Sequence, residues 1–355
     1  VILDSCPIPI VLAPLAGGPS TPELAAAVSE AGGLGFLAAG YLSAAELAAR
    51  CRRVRELTAR PFGVNLFVPG EETEATQAER DERVTEYARA IAADVTSIGA
   101  DLGVPHYDDD AWQAKLAVVL EEPPPVVSFT FGIPDRSVIE AVKAAGSEVW
   151  ITVTTAAEAR LAVEAGADAV AAQGAEAGGH RGGLTDGPGS AVGTMALVQL
   201  VTAAVAVPVV AAGGIATGAG VAAALCLGAR AAALGTAFLD CPEAGTAAVH
   251  RAALHADETR WTSLTRAFSG RTARGIANGF LLAHSSVAPA AYPEVNQLTA
   301  PMRAKARQAG LPDYVNLWAG QAYPLTAAVP AADLVRDLWA EAGAVLDRVS
   351  GTRSG

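Results

Sequence analysis

Eight short apolar runs, rich in β-branched residues, recur through the first two thirds of the chain at residues 8–13, 34–38, 62–68, 126–131, 148–153, 168–173, 208–212 and 231–235. They are near-continuous apolar runs without polar alternation. Strands of that kind are covered on both faces, as in a parallel sheet flanked by helices. Helical periodicity fills most of the gaps, at 22–31, 43–58, 135–145, 155–165, 192–205 and 218–227. Ser43 with Glu46, and Thr155 with Glu158, open two of these segments; a hydroxyl followed three positions later by glutamate satisfies the free N–H groups of a first helical turn. Eight strands with helical crossovers close naturally into a TIM (β/α)8 barrel, with an open doubly wound sheet as the alternative.

The rhythm is interrupted between the third and fourth strands, where a charged helix is expected at 71–100 and another at 110–120, joined by "DLGVPHYDDD". It stops after Leu239. Residues 242–256 and 302–309 look helical, and Leu334, Leu338, Ala342, Val345 and Val349 recur at three- and four-residue steps. That spacing predicts a last amphipathic helix ending near Gly351. The organisation expected is a barrel over 1–239, a smaller, mostly helical region over 240–328 that covers one end, and a C-terminal helix within 329–355 that packs back on the barrel.

Composition narrows the function classes. With 51% hydrophobic and 17% charged residues in 355, a sizeable core can form and the balance argues against disorder. No apolar run approaches the roughly 18 residues of a membrane helix and no cleavable leader pattern opens the chain, so no membrane association is expected. A net charge of −12 argues against nucleic acid as a partner. Cys6, Cys51, Cys226 and Cys241 are widely spaced, with no CxxC and no Cys/His cluster. They read as thiols in a reducing, cytoplasmic compartment rather than as metal ligands. The oligomeric state is left open.

Three constellations carry chemistry. In "VPVVAAGGIATG", Gly213 and Gly214 follow the seventh run; in "AAALGTAF", Gly235 and Thr236 end the eighth. Barrels often bind phosphate where these two loops meet a helix N-terminus, because glycine lets backbone N–H groups approach the anion. The second is "AAQGAEAGGHRGG", after the sixth run. Gln173 ends that run and is expected to aim its amide into the barrel mouth, and Gly178 and Gly179 remove bulk beside His180. A neutral imidazole on a C-terminal barrel loop suits proton transfer near neutral pH. His106, His250, His255 and His284 read as structural. The third is the opposite rim, with Ala13 and Pro14 ending the first run and Asn65 in the third. An amide there can hydrogen-bond a planar heterocycle. Phosphate on one side and neutral hydrogen-bonding groups in the middle point to flavin mononucleotide, with a sugar phosphate as the alternative. GxGxxG after the first run, a Walker motif and GxSxG are all absent from the sequence.

The segments "QGAEAGGHRG", "PVVAAGGIATG", "ALGTAF", "GVNLFVP", "LTRAFSGRTARGIANGF" and "LWAGQA" resemble, in order and across nearly the whole chain, the FMN-dependent nitronate monooxygenases, formerly called 2-nitropropane dioxygenases. The resemblance implies a TIM barrel with a helical second domain. It implies FMN binding at Asn65, Gln173, Gly178, Gly214 and the Gly235–Thr236 turn, and an active-site role for His180. It also implies oxidation of a nitronate or nitroalkane by O2 to a carbonyl compound and nitrite, with histidine deprotonating neutral nitroalkanes. After "AP" this chain has Leu15 where the family usually has Met, a change expected to bear on the substrate pocket. Within 265–280, Arg266, Arg271 and Arg274 form a positive cluster that reads as a solvated face, the sharper alternative being that one of them attracts an anionic substrate or faces the flavin phosphate. Two rival functions fit the same motifs: an FMN-dependent enoyl-acyl carrier protein reductase, and a non-catalytic flavin-binding barrel.

Overall fold

The computed structural model describes residues 1–70, 74–187, 191–256 and 261–351. Its strands are β1 (Ile10–Leu12), β2 (Gly35–Ala38), β3 (Phe62–Phe67), β4 (Val126–Thr130), β5 (Glu148–Val153), β6 (Ala169–Gln173), β7 (Gly179–His180), β8 (Val209–Ala212), β9 (Ala231–Leu234), β10 (Thr262–Thr265) and β11 (Ala273–Ile276). Eight of them form one parallel sheet in the order β1-β9-β8-β6-β5-β4-β3-β2, and a parallel bridge between Val11 and Leu34 joins its two ends. The barrel is closed. Its strands are the eight read from the sequence, most of them trimmed by a residue or two.

Side chains alternate across these strands, so each strand has one inner and one outer face. Outward residues such as Ile10, Leu12, Val64, Val127, Ile151 and Val170 pack under the helices, while Val11, Phe36, Trp150, Val210 and Ala231 fill the interior. Phe36 and Trp150 plug the lower barrel with ring centroids 5.6 Å apart. A Cβ on Gly63 would lie 2.3 Å from the Phe36 ring, so glycine there makes room for the plug. The same parity sends Asn65, Ser128, Thr130, Thr152 and Gln173 inward. Above an apolar floor, the inner face turns polar toward the C-terminal ends of the strands.

The outer helices are α1 (Pro22–Glu30), α2 (Ala44–Leu57), α3 (Glu74–Ser97), α4 (Trp112–Glu121), α5 (Arg136–Ala144), α6 (Ala156–Ala165), α7 (Thr194–Thr202) and α8 (Gly218–Cys226); α9 (Ala248–His255), α10 (Gly279–His284), α11 (Glu294–Ala309) and α12 (Ala331–Gly351) follow the barrel. The Ser43–Glu46 capping box forms as expected, and Thr155 accepts from the Glu158 N–H. Helix α3 departs from the ring: Val84, Tyr87, Ile91 and Val95 join Phe268, Phe280, Leu281, Val295, Leu298 and Met302 in a second core. Helix α11 starts at Glu294, eight residues before the expected start at Met302, with Pro301 inside it. Proline lacks an N–H for the carbonyl four residues back, and beside that gap the Gly103 N–H donates to the Leu298 carbonyl at 2.8 Å. Helix α12 lies on α8 and buries Leu334, Val335, Leu338 and Ala342 against the barrel core.

The region after the barrel also contains what helical periodicity did not show. Strands β10, β11 and β7 form an antiparallel sheet in which Ala273 pairs with His180 and Arg274 with Gly179. The histidine segment is therefore held by the C-terminal region as well as by the barrel.

Candidate functional site

His180 is the last residue of β7, and its position follows from hydrogen bonds on three sides. Gln173 at the end of β6 donates from Nε2 to the His180 carbonyl at 3.0 Å and accepts the Gly182 N–H on Oε1 at 2.8 Å. The Arg181 N–H donates to the Thr272 carbonyl at 2.8 Å. The His180 Nε2 lies 2.8 Å from Ser269 Oγ. Gln173 therefore uses its amide to clamp the histidine loop, where the sequence suggested an amide aimed into the mouth. Glycine at 178 has a packing reason as well, because a Cβ there would lie 2.4 Å from the Gly320 nitrogen.

Three aromatic rings wall the imidazole. Phe131, Tyr292 and Trp318 stand edge-on to it with centroids 5.6–5.8 Å away. Phe131 has φ +77°, a left-handed conformation that is strained for a bulky residue and that clusters at functional sites. The Tyr292 hydroxyl donates to the Tyr41 hydroxyl at 3.2 Å. The Arg271 guanidinium sits 4.1 Å from the centre of the Phe131 ring and donates from Nε and Nη2 to the Arg181 and Gly183 carbonyls. Arg303, 8% exposed, donates to Thr299 and Asn296 and forms no ion pair among the described residues.

These surroundings set the charge state of His180. Burial first, then Arg271 and Arg303, push its pKa from 6.5 down to about 3. The imidazole is neutral at ordinary pH, as expected, but it is a weaker base than an unperturbed histidine. Proton transfer to it needs the developing anion to be stabilised by something else, and the two guanidinium groups are suited to that.

The second rim is built from backbone. Gly213 and Gly214, with φ +113° and +68°, follow β8 and turn against residues 174–177. The Gly214 and Ile215 N–H groups have no protein acceptor among the described residues. Thr236 Oγ1 accepts the Gly320 N–H at 2.9 Å, which leaves its own proton free to donate. Gly235 stands beside Leu15 and Ala13, the latter just before Pro14. The neighbouring helix N-termini, however, already hold anions. The Glu341 carboxylate of α12 accepts the Gly218 N–H of α8 at 2.8 Å, and Glu176 accepts the Thr194 N–H of α7 at 2.8 Å. The donors available to a phosphate are the loop groups rather than the termini of α7 and α8.

Asn65 lies between the rims and is buried, donating from Nδ2 to Ser128 and Thr130 hydroxyls at 2.9 Å. Thr130 in turn meets Thr152 at 3.2 Å, directly beneath Gly182. Of the arginine trio, Arg271 lies against Phe131, one of the rings that wall the imidazole, and lowers the His180 pKa through its charge. Arg266 is paired with Asp186 at 2.8 Å, and Arg274 donates to the Ala175 carbonyl at 2.8 Å and to Thr262. Sequence reading missed Tyr41, Phe131, Ser269, Tyr292, Arg303 and Trp318 as site residues. No spacing links them; a serine beside a left-handed glycine, "SG" at 269–270, was the nearest thing to a signal.

A closed parallel barrel with backbone donors on one side of its mouth, and an imidazole between aromatic rings and guanidinium groups on the other, belongs to an oxidoreductase of the TIM-barrel class. The family model described as nitronate monooxygenase matches residues 3–341, and the chain belongs to that family. It is 43% identical over 343 residues to the nitronate monooxygenase of Pseudomonas aeruginosa, covering 93% of this chain and 95% of the relative. It is 41% identical to that of Paraburkholderia phytofirmans, covering 93% and 91%. Among solved structures, nitroalkane oxidase from Streptomyces ansochromogenes superposes with a TM-score of 0.93 at 48% identity, covering 98% of this chain and 99% of that one. FabK from Thermotoga maritima is more distant, at a TM-score of 0.76 and 28% identity over 99% and 98%.

Proposed function

We propose that this chain is an FMN-dependent nitronate monooxygenase that takes small nitronates, and neutral nitroalkanes through His180, to carbonyl compounds and nitrite with O2. The reading rests on one observation above all. His180 is neutral, walled by Phe131, Tyr292 and Trp318, and adjacent to a guanidinium whose Nη1 has no protein partner among the described residues. That combination suits a small, flat anion whose conjugate acid loses a proton from carbon.

The backbone rim fits a flavin phosphate by its chemistry: uncommitted Gly214 and Ile215 N–H groups and a Thr236 hydroxyl with a free proton. Gly213 and Gly235 let the chain approach it. Ala13, Pro14, Asn65, Gln173, Gly178 and Gly179 would border the isoalloxazine, with Asn65 and Gln173 acting mainly by fixing neighbouring groups. When bound, the flavin supplies the one-electron chemistry that couples nitronate oxidation to O2. Arg271 holds the nitronate oxygens by a charge-assisted hydrogen bond, and the aromatic edges exclude water from the reacting carbon. For a neutral nitroalkane, His180 accepts the α-proton while Arg271 stabilises the anion that forms. The four cysteines all carry free thiols in the structure, which fits a reducing, cytoplasmic setting.

The test is spectroscopic and kinetic. The purified protein should be yellow, release FMN rather than FAD on denaturation, and turn over propionate 3-nitronate anaerobically pre-mixed and then exposed to O2. A protein that neither holds nor takes up FMN, or one whose flavin is bleached by NADH without nitronate, overturns the reading.

A further inference from the structure

A histidine acts as a base only through the ring nitrogen that lacks a proton, and a neighbour's hydrogen bond decides which nitrogen that is. His180 Nε2 lies 2.8 Å from Ser269 Oγ. The Ser269 hydroxyl has one proton and two groups within its reach: that nitrogen, and the Arg271 carbonyl at 3.1 Å. The Arg271 N–H also donates to the same oxygen, at 3.4 Å. A hydroxyl donates once and accepts twice. When its proton goes to the Arg271 carbonyl, the oxygen accepts from both Arg271 N–H and His180 Nε2–H, and all three contacts set a donor against an acceptor. When the proton goes to Nε2 instead, the Arg271 carbonyl loses that donor. The imidazole hydrogen must then sit on Nδ1, which bonds to no protein group among the described residues. Ser269 is 1% exposed, so its hydroxyl has these protein groups rather than water as partners.

The carrier is rigid. Gly270 has φ +80°, and a Cβ there would lie 2.1 Å from the Ala291 carbonyl oxygen, so the turn requires glycine. The Gly270 N–H donates to the Arg266 carbonyl at 2.8 Å, and its carbonyl accepts the Ala291 N–H at 3.0 Å. The turn is thereby tied to the residue preceding Tyr292. The strand that follows it, β11, pairs with His180 itself. One chain segment thus fixes both the backbone of the histidine and the hydroxyl facing its ring, an arrangement that holds a side chain to one geometry.

We propose that Ser269 is a positioning residue that keeps the His180 proton on Nε2 and leaves the lone pair on Nδ1, the nitrogen that receives the α-proton of a neutral nitroalkane. The tautomer stands on the hydrogen-bond geometry alone; the proton-acceptor role of Nδ1 rests on the function proposed above.

The experiment is 15N NMR of the flavin-loaded protein labelled at histidine, with the His180 signals identified as those missing in His180→Asn. Nε2 couples to both carbon-bound ring protons and Nδ1 strongly to one, so the protonated nitrogen can be assigned directly. The expected wild-type spectrum has the proton on Nε2; Ser269→Ala should show a mixture of tautomers and Ser269→Thr should restore the single one. In parallel, the ratio of kcat/KM for nitroethane to that for its preformed nitronate should fall about tenfold in Ser269→Ala, a part of the 10²–10⁴ that a whole general base supplies, and recover in Ser269→Thr. A wild-type proton on Nδ1, or a Ser269→Ala spectrum unchanged from wild type, overturns the proposal. So does an equal loss on both substrates with flavin retained. If the tautomer behaves as expected but His180→Asn loses nitroalkane and nitronate activity alike, the positioning role stands and the base role of His180 falls.

Discussion

The two rims of the barrel mouth solve opposite problems. The glycine rim after β8 and β9 presents backbone N–H groups, and it sits beside helix ends already neutralised by Glu176 and Glu341. The histidine rim presents side chains, with Arg271 and Arg303 lacking a carboxylate within ion-pair distance among the described residues. On one side negative charge from the protein occupies the strongest anion sites and leaves neutral donors; on the other, positive charge is left uncompensated beside a neutral ring. A site so divided discriminates by position: a group held by many weak backbone donors belongs on the first rim, and a small anion with localised charge on the second.

The largest test of that division is His180→Asn. Turnover of a neutral nitroalkane, normalised to bound flavin, should drop by roughly 10²–10⁴, with a much smaller loss on a preformed nitronate and no change in flavin content. A mutant that loses flavin as well would mean the rims are not separable. Next comes Arg271→Ala. A buried hydrogen bond to a charged group is worth about 1.5–3 kcal/mol, so KM for a nitronate should rise roughly ten- to hundredfold. Arg266→Ala, which removes a residue already paired with Asp186, should leave KM close to wild type. Equal effects from the two arginines would refute the assignment of the unpaired one.

On the glycine rim, Gly214→Ala forces a left-handed φ of +68° on alanine and brings its Cβ to 3.0 Å from Glu176 Cβ. Left-handed backbone costs about 1–2 kcal/mol outside glycine, so FMN should dissociate roughly tenfold more readily in a fluorescence titration, while the His180 tautomer is untouched. The smallest effect is electrostatic. Because the folded-state pKa of His180 is lowered to about 3, the stability it contributes is full above pH 6.5 and is lost progressively as pH falls from 6.5 toward 3. His250, held down to about 4 mainly by burial, acts in the same direction. Urea unfolding of flavin-free wild type between about pH 7 and pH 5.5 should therefore show a loss on the order of 1 kcal/mol larger than in His180→Asn. A wild-type slope no steeper than the mutant's would mean that the imidazole is solvated.

The barrel was legible because its signals are local. A strand buried on both faces shows itself within six residues, as at Glu148–Val153, where the expected and observed bounds coincide. A helix start shows itself within four. The glycine rim was legible for the same reason, since a left-handed turn at a strand end is encoded where it occurs. The histidine rim is assembled from Tyr41, Phe131, His180, Ser269, Tyr292, Arg303 and Trp318, and nothing in the spacing of these residues foretells that they meet. Strand β7 has two residues, one of them glycine, too short for any periodicity. Gln173 was singled out for its inward direction, which follows from strand parity, whereas its partners at His180 and Gly182 depend on a loop that folds back over it. His180 was singled out, but its weakened basicity was not, since that depends first on burial by groups distant in sequence and then on guanidinium groups 91 and 123 positions further along the chain.

The capping of α8 by Glu341 has a consequence for how the molecule is made. The two partners are 123 residues apart. At about 5–20 residues per second, a ribosome needs roughly six to twenty-five seconds to deliver the carboxylate after the helix has been synthesised. Until then, the Gly218 and Ala219 N–H groups lack the carboxylate that accepts from them in the finished fold. The cap of a helix in the middle of the barrel is therefore completed only by α12, whose apolar face packs on that same helix.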